Sequence, residues 1–242
     1  MENNTQWFAS WFNTPYYHIL YKDRDYKEAQ LFMDTLTHYL NLPEQAHILD
    51  LACGKGRHAI YLNKLGYQVT GADLSENSIL HAKQFENDRL QFIVHDMSKP
   101  LNQQFDAVFN LFTSFGYFKN EADNLNTIKA IQANLNETGF GVIDFMNTDY
   151  VIENLVPKEI KTVNDIAFHI TRYVENGYII KNIAFTDGGQ NYTFQERVKA
   201  FTLADFEALF NQAGVYLLDI FGDYKLQKFN AKTSERLIMI FK

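Results

Sequence analysis

The sequence predicts a doubly wound α/β fold: a mostly parallel seven-stranded sheet with an antiparallel last strand and an inserted antiparallel β-meander. Three observations predict it. Short apolar runs alternate with helical segments through the first 150 residues. A glycine turn, Gly54 and Gly56, directly follows one such run. Beyond residue 150 the hydrophobic period changes from helical spacing to strand alternation.

In chain order, Tyr26 to Leu40 carries Ala29, Leu31, Phe32, Leu36, Tyr39 and Leu40 at helical spacing, with Pro43 beyond its end. His47 to Leu51 is an apolar strand, and Arg57 to Leu65 a helix stopped at Gly66. Tyr67 to Ala72 is the next strand, then a helix from Ser75, its expected N-cap, to Phe85. Strands at Leu90 to His95, Phe105 to Leu111 and Gly139 to Phe145 enclose a helix from Glu121 to Leu135. Strands separated by helices pair in parallel through right-handed crossovers. Ile166 to Tyr173, Tyr178 to Phe185 and Asn191 to Lys199 then alternate, joined by Glu175-Asn176-Gly177 and Asp187-Gly188-Gly189, both hairpin turns. Thr202 caps a helix to Ala213, with Asp205 completing a capping box and Gly214 ending it. Strands Val215 to Phe221 and Glu235 to Phe241 are close enough to pair antiparallel. The organisation expected is a helical lid or cap over 1–45, a ligand-binding core over 46–150, a β insertion over 151–200, and a C-terminal helix and strand pair over 201–242.

Composition narrows the function. The 242 residues carry a formal net charge of −7 and no run of Lys or Arg. Grip on a phosphate backbone needs clustered cations, so nucleic acid is not an expected partner. No window approaches the roughly 20 apolar residues of a membrane span. The opening MENNTQWFASWF lacks a basic stretch followed by an apolar one, so no leader is expected and the expected location is cytoplasmic. The single cysteine, Cys53, excludes an internal disulfide framework, and no cluster has metal-ligand spacing. Nothing in the sequence sets the oligomeric state.

The chemistry concentrates in His47 to Ala59, HILDLACGKGRHA. Gly54 and Gly56 permit positive φ and close ligand approach, and the following helix offers free N–H groups. That geometry suits a pyrophosphate or an amino-acid carboxylate, and GKGRHA satisfies the loose dinucleotide pattern. Asp50, four residues before Gly54, either caps the turn or faces a ligand's ammonium; an anion there is awkward beside a pyrophosphate. Asp73, seventeen residues past Gly56 at the end of the next strand, can accept both hydroxyls of a ribose. Asp96 can accept from an adenine amino group while Met97 packs on the base, or it caps a turn. Asn110 arrives at the same carboxyl edge, where open α/β sheets bind ligands.

These motifs resemble the class I S-adenosylmethionine-dependent methyltransferases, of the small-molecule type. LDLACGKGRHA resembles the superfamily's first motif, VTGADLS its acidic second strand, VHDM its adenine motif and FDAVFNLFTSFGYF its fourth-strand motif. SERLIMIFK paired with VYLLDIFG resembles the antiparallel last strand of that Rossmann-like fold, and the meander resembles a roof over a substrate site. The resemblance implies S-adenosyl-L-methionine as cofactor. Asp50, Ala52, Cys53, Gly54 and Gly56 would hold its methionine part and Asp73 its ribose. Leu74 would lie on the adenine, Asp96 and Met97 would read its edge, and Asn110 with Leu111 would line the methionyl side.

The implied reaction is methyl transfer to an amine or hydroxyl of a small metabolite. Two other readings stand beside it: a non-catalytic S-adenosylmethionine-binding sensor or partner subunit, and an NAD(P)-dependent oxidoreductase. Ser114 and Tyr117, following the fourth strand, fall nearest the expected methyl site. Asn110-Leu111-Phe112-Thr113 departs from the Asn/Asp-Pro-Pro-aromatic motif of enzymes that methylate nucleic-acid bases. No general base is evident, His58 and His95 reading as helix-face and strand-end residues. Near the N-terminus, Trp7, Phe8, Trp11 and Phe12 share one helical stripe. Either this stripe docks on the core, or it belongs to a lid whose Tyr16 or Tyr17 closes over the site.

Overall fold

The structure, a computed structural model, describes residues 11–22, 26–118 and 120–242. In chain order the elements begin with α1 (Pro15–Leu20), α2 (Tyr26–Leu40), β1 (His47–Leu51), α3 (Arg57–Lys64), β2 (Gln68–Asp73) and α4 (Glu76–Ala82). Then come β3 (Leu90–Val94), β4 (Phe105–Asn110), α5 (Glu121–Asn134), β5 (Leu135–Met146) and α6 (Thr148–Glu153). Strands β6 (Lys158–Val163), β7 (Ile166–Glu175), β8 (Tyr178–Asp187) and β9 (Gln190–Lys199) precede α7 (Leu203–Ala213), β10 (Leu217–Phe221) and β11 (Arg236–Phe241). The stripe residues Trp7 and Phe8 lie outside the described residues.

Seven strands form the main sheet in the order β3-β2-β1-β4-β5-β11-β10. Strands β1 to β5 run parallel, and β11 pairs antiparallel with both β5 and β10. Expectation and structure agree on this sheet. Its topology reverses at β1, whose neighbours are β2 on one side and β4 on the other. A crevice therefore opens at the carboxyl ends of β1 and β4, where the candidate residues converge.

Side chains alternate along each strand, so the sheet buries two cores. On one face Phe32, Met33 and Leu36 of α2 meet Ile48, Phe92 and Phe109. On the other, Phe206 and Phe210 of α7 with Ile128 and Ile131 of α5 meet Leu49, Phe145 and Phe241. Each fully buried ring of this kind stabilises the fold by roughly 1.5–3 kcal/mol. Local chemistry agrees with packing at α7: Thr202 accepts from Asp205 N, Asp205 accepts from Thr202 N, and Gly214 ends the helix at φ 75°.

The insertion is a second sheet, β6-β7-β8-β9, fully antiparallel. It has four strands rather than the three expected. The extra strand, KEIKTV, is an edge strand exposed along most of its length, so it carries little hydrophobic signal. Its turn into β7, Asn164-Asp165, takes left-handed φ values of 48° and 62°, as Asn176-Gly177 does in the next hairpin with 50° and 76°.

The aromatic N-terminal segment docks on this second sheet rather than on the main core. Trp11 and Leu20 are buried against Phe168, Ile170, Ile183 and Phe185. Thr14 caps α1 by accepting from Tyr17 N, and Pro15 begins the helix, so Phe-Asn-Thr-Pro is the start of an ordered turn. Among the described residues no helix is long and apolar enough to cross a membrane.

Candidate active site

The turn after β1 is held open by its backbone. Ala52, Gly54 and Gly56 all take left-handed φ values of 65°, 56° and 82°. Ala52 N and Cys53 N both donate to Ala72 O at the end of β2. The two glycines serve different purposes. A Cβ on Gly56 would lie 2.5 Å from the Phe92 ring, so this glycine lets α3 approach the sheet; a Cβ on Gly54 would enter open space.

Asp50 is buried, and its Oδ2 accepts from Ala59 N at 3.1 Å in the first turns of α3. Burial pushes its carboxyl up to about 7; the Ala59 N–H and Arg57 act against this, and Asp73 adds to it. Asp73 receives Gly54 N on one oxygen and Ser75 N on the other, each at 2.8 Å, and burial raises it as well. The Ser75 hydroxyl also bonds to Asn13, which brings the N-terminal segment to this edge. Leu74, next to Asp73, is 45% exposed. Burial pushes the Cys53 thiol up, away from the thiolate form.

Asp96 takes the turn-capping role, accepting from Ser98 N and Ser98 Oγ at 3.0 and 2.8 Å. Those bonds and Lys99 hold it below the usual carboxylate range despite its partial burial. Met97 is half-buried beside Asn110, whose amide nitrogen donates to Leu51 O at 3.0 Å. The Asn110 carbonyl oxygen is buried and has no hydrogen-bond partner among the described residues. Leu111 is buried just beyond it.

A cavity of about 380 Å³ opens past the end of β4, between the main sheet and the inserted one. Phe112, Thr113 and Tyr117 from the β4 loop line it, facing Lys181, Glu196 and Val198 from β8 and β9. Phe112 and Thr113 take φ values of 56° and 60° in succession, a strained conformation for such side chains. Asp144 of β5 holds them there: its Oδ2 accepts from Phe112 N at 2.7 Å and its backbone oxygen from Thr113 N at 3.0 Å. Arg236 of β11 locks Asp144 in turn, Nε to Oδ1 at 2.8 Å, and donates from Nη2 to Thr113 Oγ at 3.0 Å. Tyr224 closes the network, and burial beside Asp144 pushes its phenol up, so it stays a donor.

Of the residues expected at the substrate, Tyr117 lines the cavity. Ser114 does not; its hydroxyl donates to Leu111 O and closes the turn. Tyr16 is placed elsewhere, because its hydroxyl donates to Asp187 and its ring packs on Phe185 and Tyr192 at the outer end of the second sheet. Tyr17 lies among Trp11, Phe12 and Tyr21. Sequence reasoning missed Asp144, Arg236 and Tyr224. The available signal was a charged residue set in each of two apolar strands, GVIDFM and RLIMIF.

These features fit an S-adenosyl group. The unpartnered Asn110 oxygen awaits a donor, buried Asp50 lacks a cation at hydrogen-bond distance among the described residues, and the space off Gly54 admits a ligand against the backbone. Comparison with known proteins agrees. Residues 48–139 match the family model "Methyltransferase domain". A Bacillus subtilis relative is 35% identical over 121 residues, so that the match spans about half of each chain (48% and 49%). The dTDP-3-amino-3,4,6-trideoxy-alpha-D-glucopyranose N,N-dimethyltransferase of Streptomyces venezuelae is 26% identical over 72% of this chain and 76% of that one. An S-adenosylmethionine-dependent methyltransferase from Clostridium acetobutylicum shares the fold, with a TM-score of 0.79 at 21% identity over 94% of this chain and 95% of that one. Residues 48–139 are thus similar to a methyltransferase domain, and the relatives and the shared fold support S-adenosylmethionine as the cofactor.

Proposed function

We propose that this protein is a cytoplasmic enzyme that methylates an amine of a small metabolite in the cavity beyond β4. The observation that carries this reading is continuity. Asn110 and Leu111 belong to the cofactor edge, while Phe112 and Thr113, the next two residues, already line the cavity. Asp50 and the Ala52–Gly56 turn would hold the methionine part, Asp73 the ribose, Leu74, Asp96 and Met97 the adenine, and Asn110 with Leu111 the methionyl side. When bound, the sulfonium supplies an already activated methyl group.

The chain's own contribution is alignment and exclusion of water. Alignment of a nucleophile can supply roughly 7–11 kcal/mol in well-oriented systems. The strained Phe112–Thr113 wall, fixed by Asp144 and Arg236, is suited to that task. Cations on the cavity wall also disfavour protonation of an acceptor amine, which keeps its lone pair available. Tyr117 is the site's candidate for touching the acceptor. The N-methyltransferase name of the Streptomyces venezuelae relative supports an amine over a hydroxyl.

The test is S-adenosylhomocysteine formation with matched amines and alcohols, including amino sugars and amino acids, followed by mass spectrometry of the product. Turnover of amines and not of the corresponding alcohols is expected. Turnover of the alcohols alone, or none with any small acceptor, contradicts the reading.

A further inference from the structure

Arg236 has two edges, and only one of them is occupied. Nε and Nη2 bind Asp144 and Thr113, with Nη2 2.7 Å from Asp144 Oδ1. Nη1 meets no acceptor among the described residues, although the side chain is only 19% exposed and lines the cavity. A guanidinium presents five N–H donors in a fixed plane, and the Nη1 pair, which keeps contact with solvent, is open to a ligand. Its geometry suits the two oxygens of a carboxylate or the oxygens of a phosphate.

The surroundings favour a charged partner over a neutral one. Four cations line the cavity, Arg57, Arg172, Lys181 and Arg236, against two carboxylates, Glu28 and Glu196. Arg172 pairs with Glu159 and Lys181 with Glu196, so the positive character a ligand meets rests on Arg236 and Arg57, set against Glu28. Glu196 already accepts from Trp11 Nε1 and Tyr21 OH and pairs with Lys181. Asp144, the counter-charge of Arg236, is fully buried behind the wall and engaged by Phe112 N as well as by Arg236. A ligand in the cavity meets the guanidinium before it meets that carboxylate.

We propose that the methyl acceptor carries an oxyanion, a carboxylate or a phosphate, and that the Nη1 edge of Arg236 receives it. This rests on the reading of the cavity as the acceptor site. It assigns Arg236 a specificity role beside its structural one, and narrows the acceptor to an amine bearing an anionic group.

The experiment titrates the full chain, first loaded with S-adenosylhomocysteine, with acetate, inorganic phosphate and acetamide at constant ionic strength in a calorimeter. Saturable binding of acetate or phosphate, with none of acetamide, is expected; the tighter of the two identifies the anion class. In Arg236→Lys, which keeps the charge but not the fork, that binding weakens roughly tenfold or more, while S-adenosylhomocysteine binding is retained. If Arg236→Lys does not fold, acetate-dependent shifts of the Arg236 guanidinium resonances in the intact protein replace it. Absence of saturable anion binding, equal binding of acetamide, or anion binding unchanged by the substitution overturns the proposal. Failure to load S-adenosylhomocysteine would instead strike the underlying reading.

Discussion

Asp144 and Arg236 lie diagonally across the β5–β11 ladder, and their buried pair pins the strained Phe112–Thr113 turn from behind. Removing one partner of such a pair leaves a charge without compensation, which costs about 3–5 kcal/mol. Asp144→Ala is expected near the lower end, because Arg236 keeps some access to water. Urea denaturation checks the value. A loss under about 1 kcal/mol would show that the pair does not organise this wall.

The two turn glycines separate stability from binding. Gly56→Ala adds about 1–2 kcal/mol of left-handed strain to an overpacking cost of about 1–3 kcal/mol against Phe92. Gly54→Ala bears only the strain, since its Cβ meets no atom of the described residues. The expected outcome is that Gly56→Ala loses more melting temperature, and Gly54→Ala more affinity for S-adenosylhomocysteine. The reverse order would mean that the ligand does not lie along Gly54.

Asp50 makes both stability and binding depend on pH. Its folded pKa, raised by burial to about 7, lies above the roughly 3.9 of an unfolded aspartate. Its stabilising contribution is therefore complete below about pH 4 and declines as pH rises towards 7. A ligand ammonium favours the ionised carboxylate, so cofactor binding below pH 7 releases a proton. Calorimetry in buffers of different ionisation enthalpy reads that proton. Asp50→Asn is expected to abolish the release and to flatten the pH slope of stability between 4 and 7.

Glu196 fastens the N-terminal segment to the roof of the cavity through Trp11 and Tyr21. Hydrogen bonds to a charged group contribute about 1.5–3 kcal/mol. Glu196→Ala is expected to shift tryptophan emission to the red and to speed proteolysis within residues 11–21, with the main sheet intact by circular dichroism. Unchanged emission and protease resistance would mean that packing of Trp11 on Phe194 suffices to dock the segment.

The candidate cofactor edge was legible as a place in the fold because its parts are local. A strand, a glycine turn and a helix follow one another between His47 and Lys64, and Asp73 ends the next strand. The acceptor cavity was not, because Arg236 and Asp144 stand 92 residues apart and meet only through the register of β11 on β5. Tyr16 shows the same limit. Aromatic spacing announced a buried stripe, but the surface that buries it is the second sheet, whose hairpins form some 150 residues later. Strand β6 escaped notice for a different reason: a charged edge strand has no apolar alternation to read.

The central claim is that the β1, β2 and β4 edge holds an S-adenosyl group and not a dinucleotide. Calorimetric titration with S-adenosylhomocysteine and with NADH, on the wild type and on Asp73→Ala, tests it most directly. The account predicts binding of S-adenosylhomocysteine alone, weakened by the substitution. Binding of NADH in its place, or of neither ligand to a folded and ligand-free protein, would contradict it.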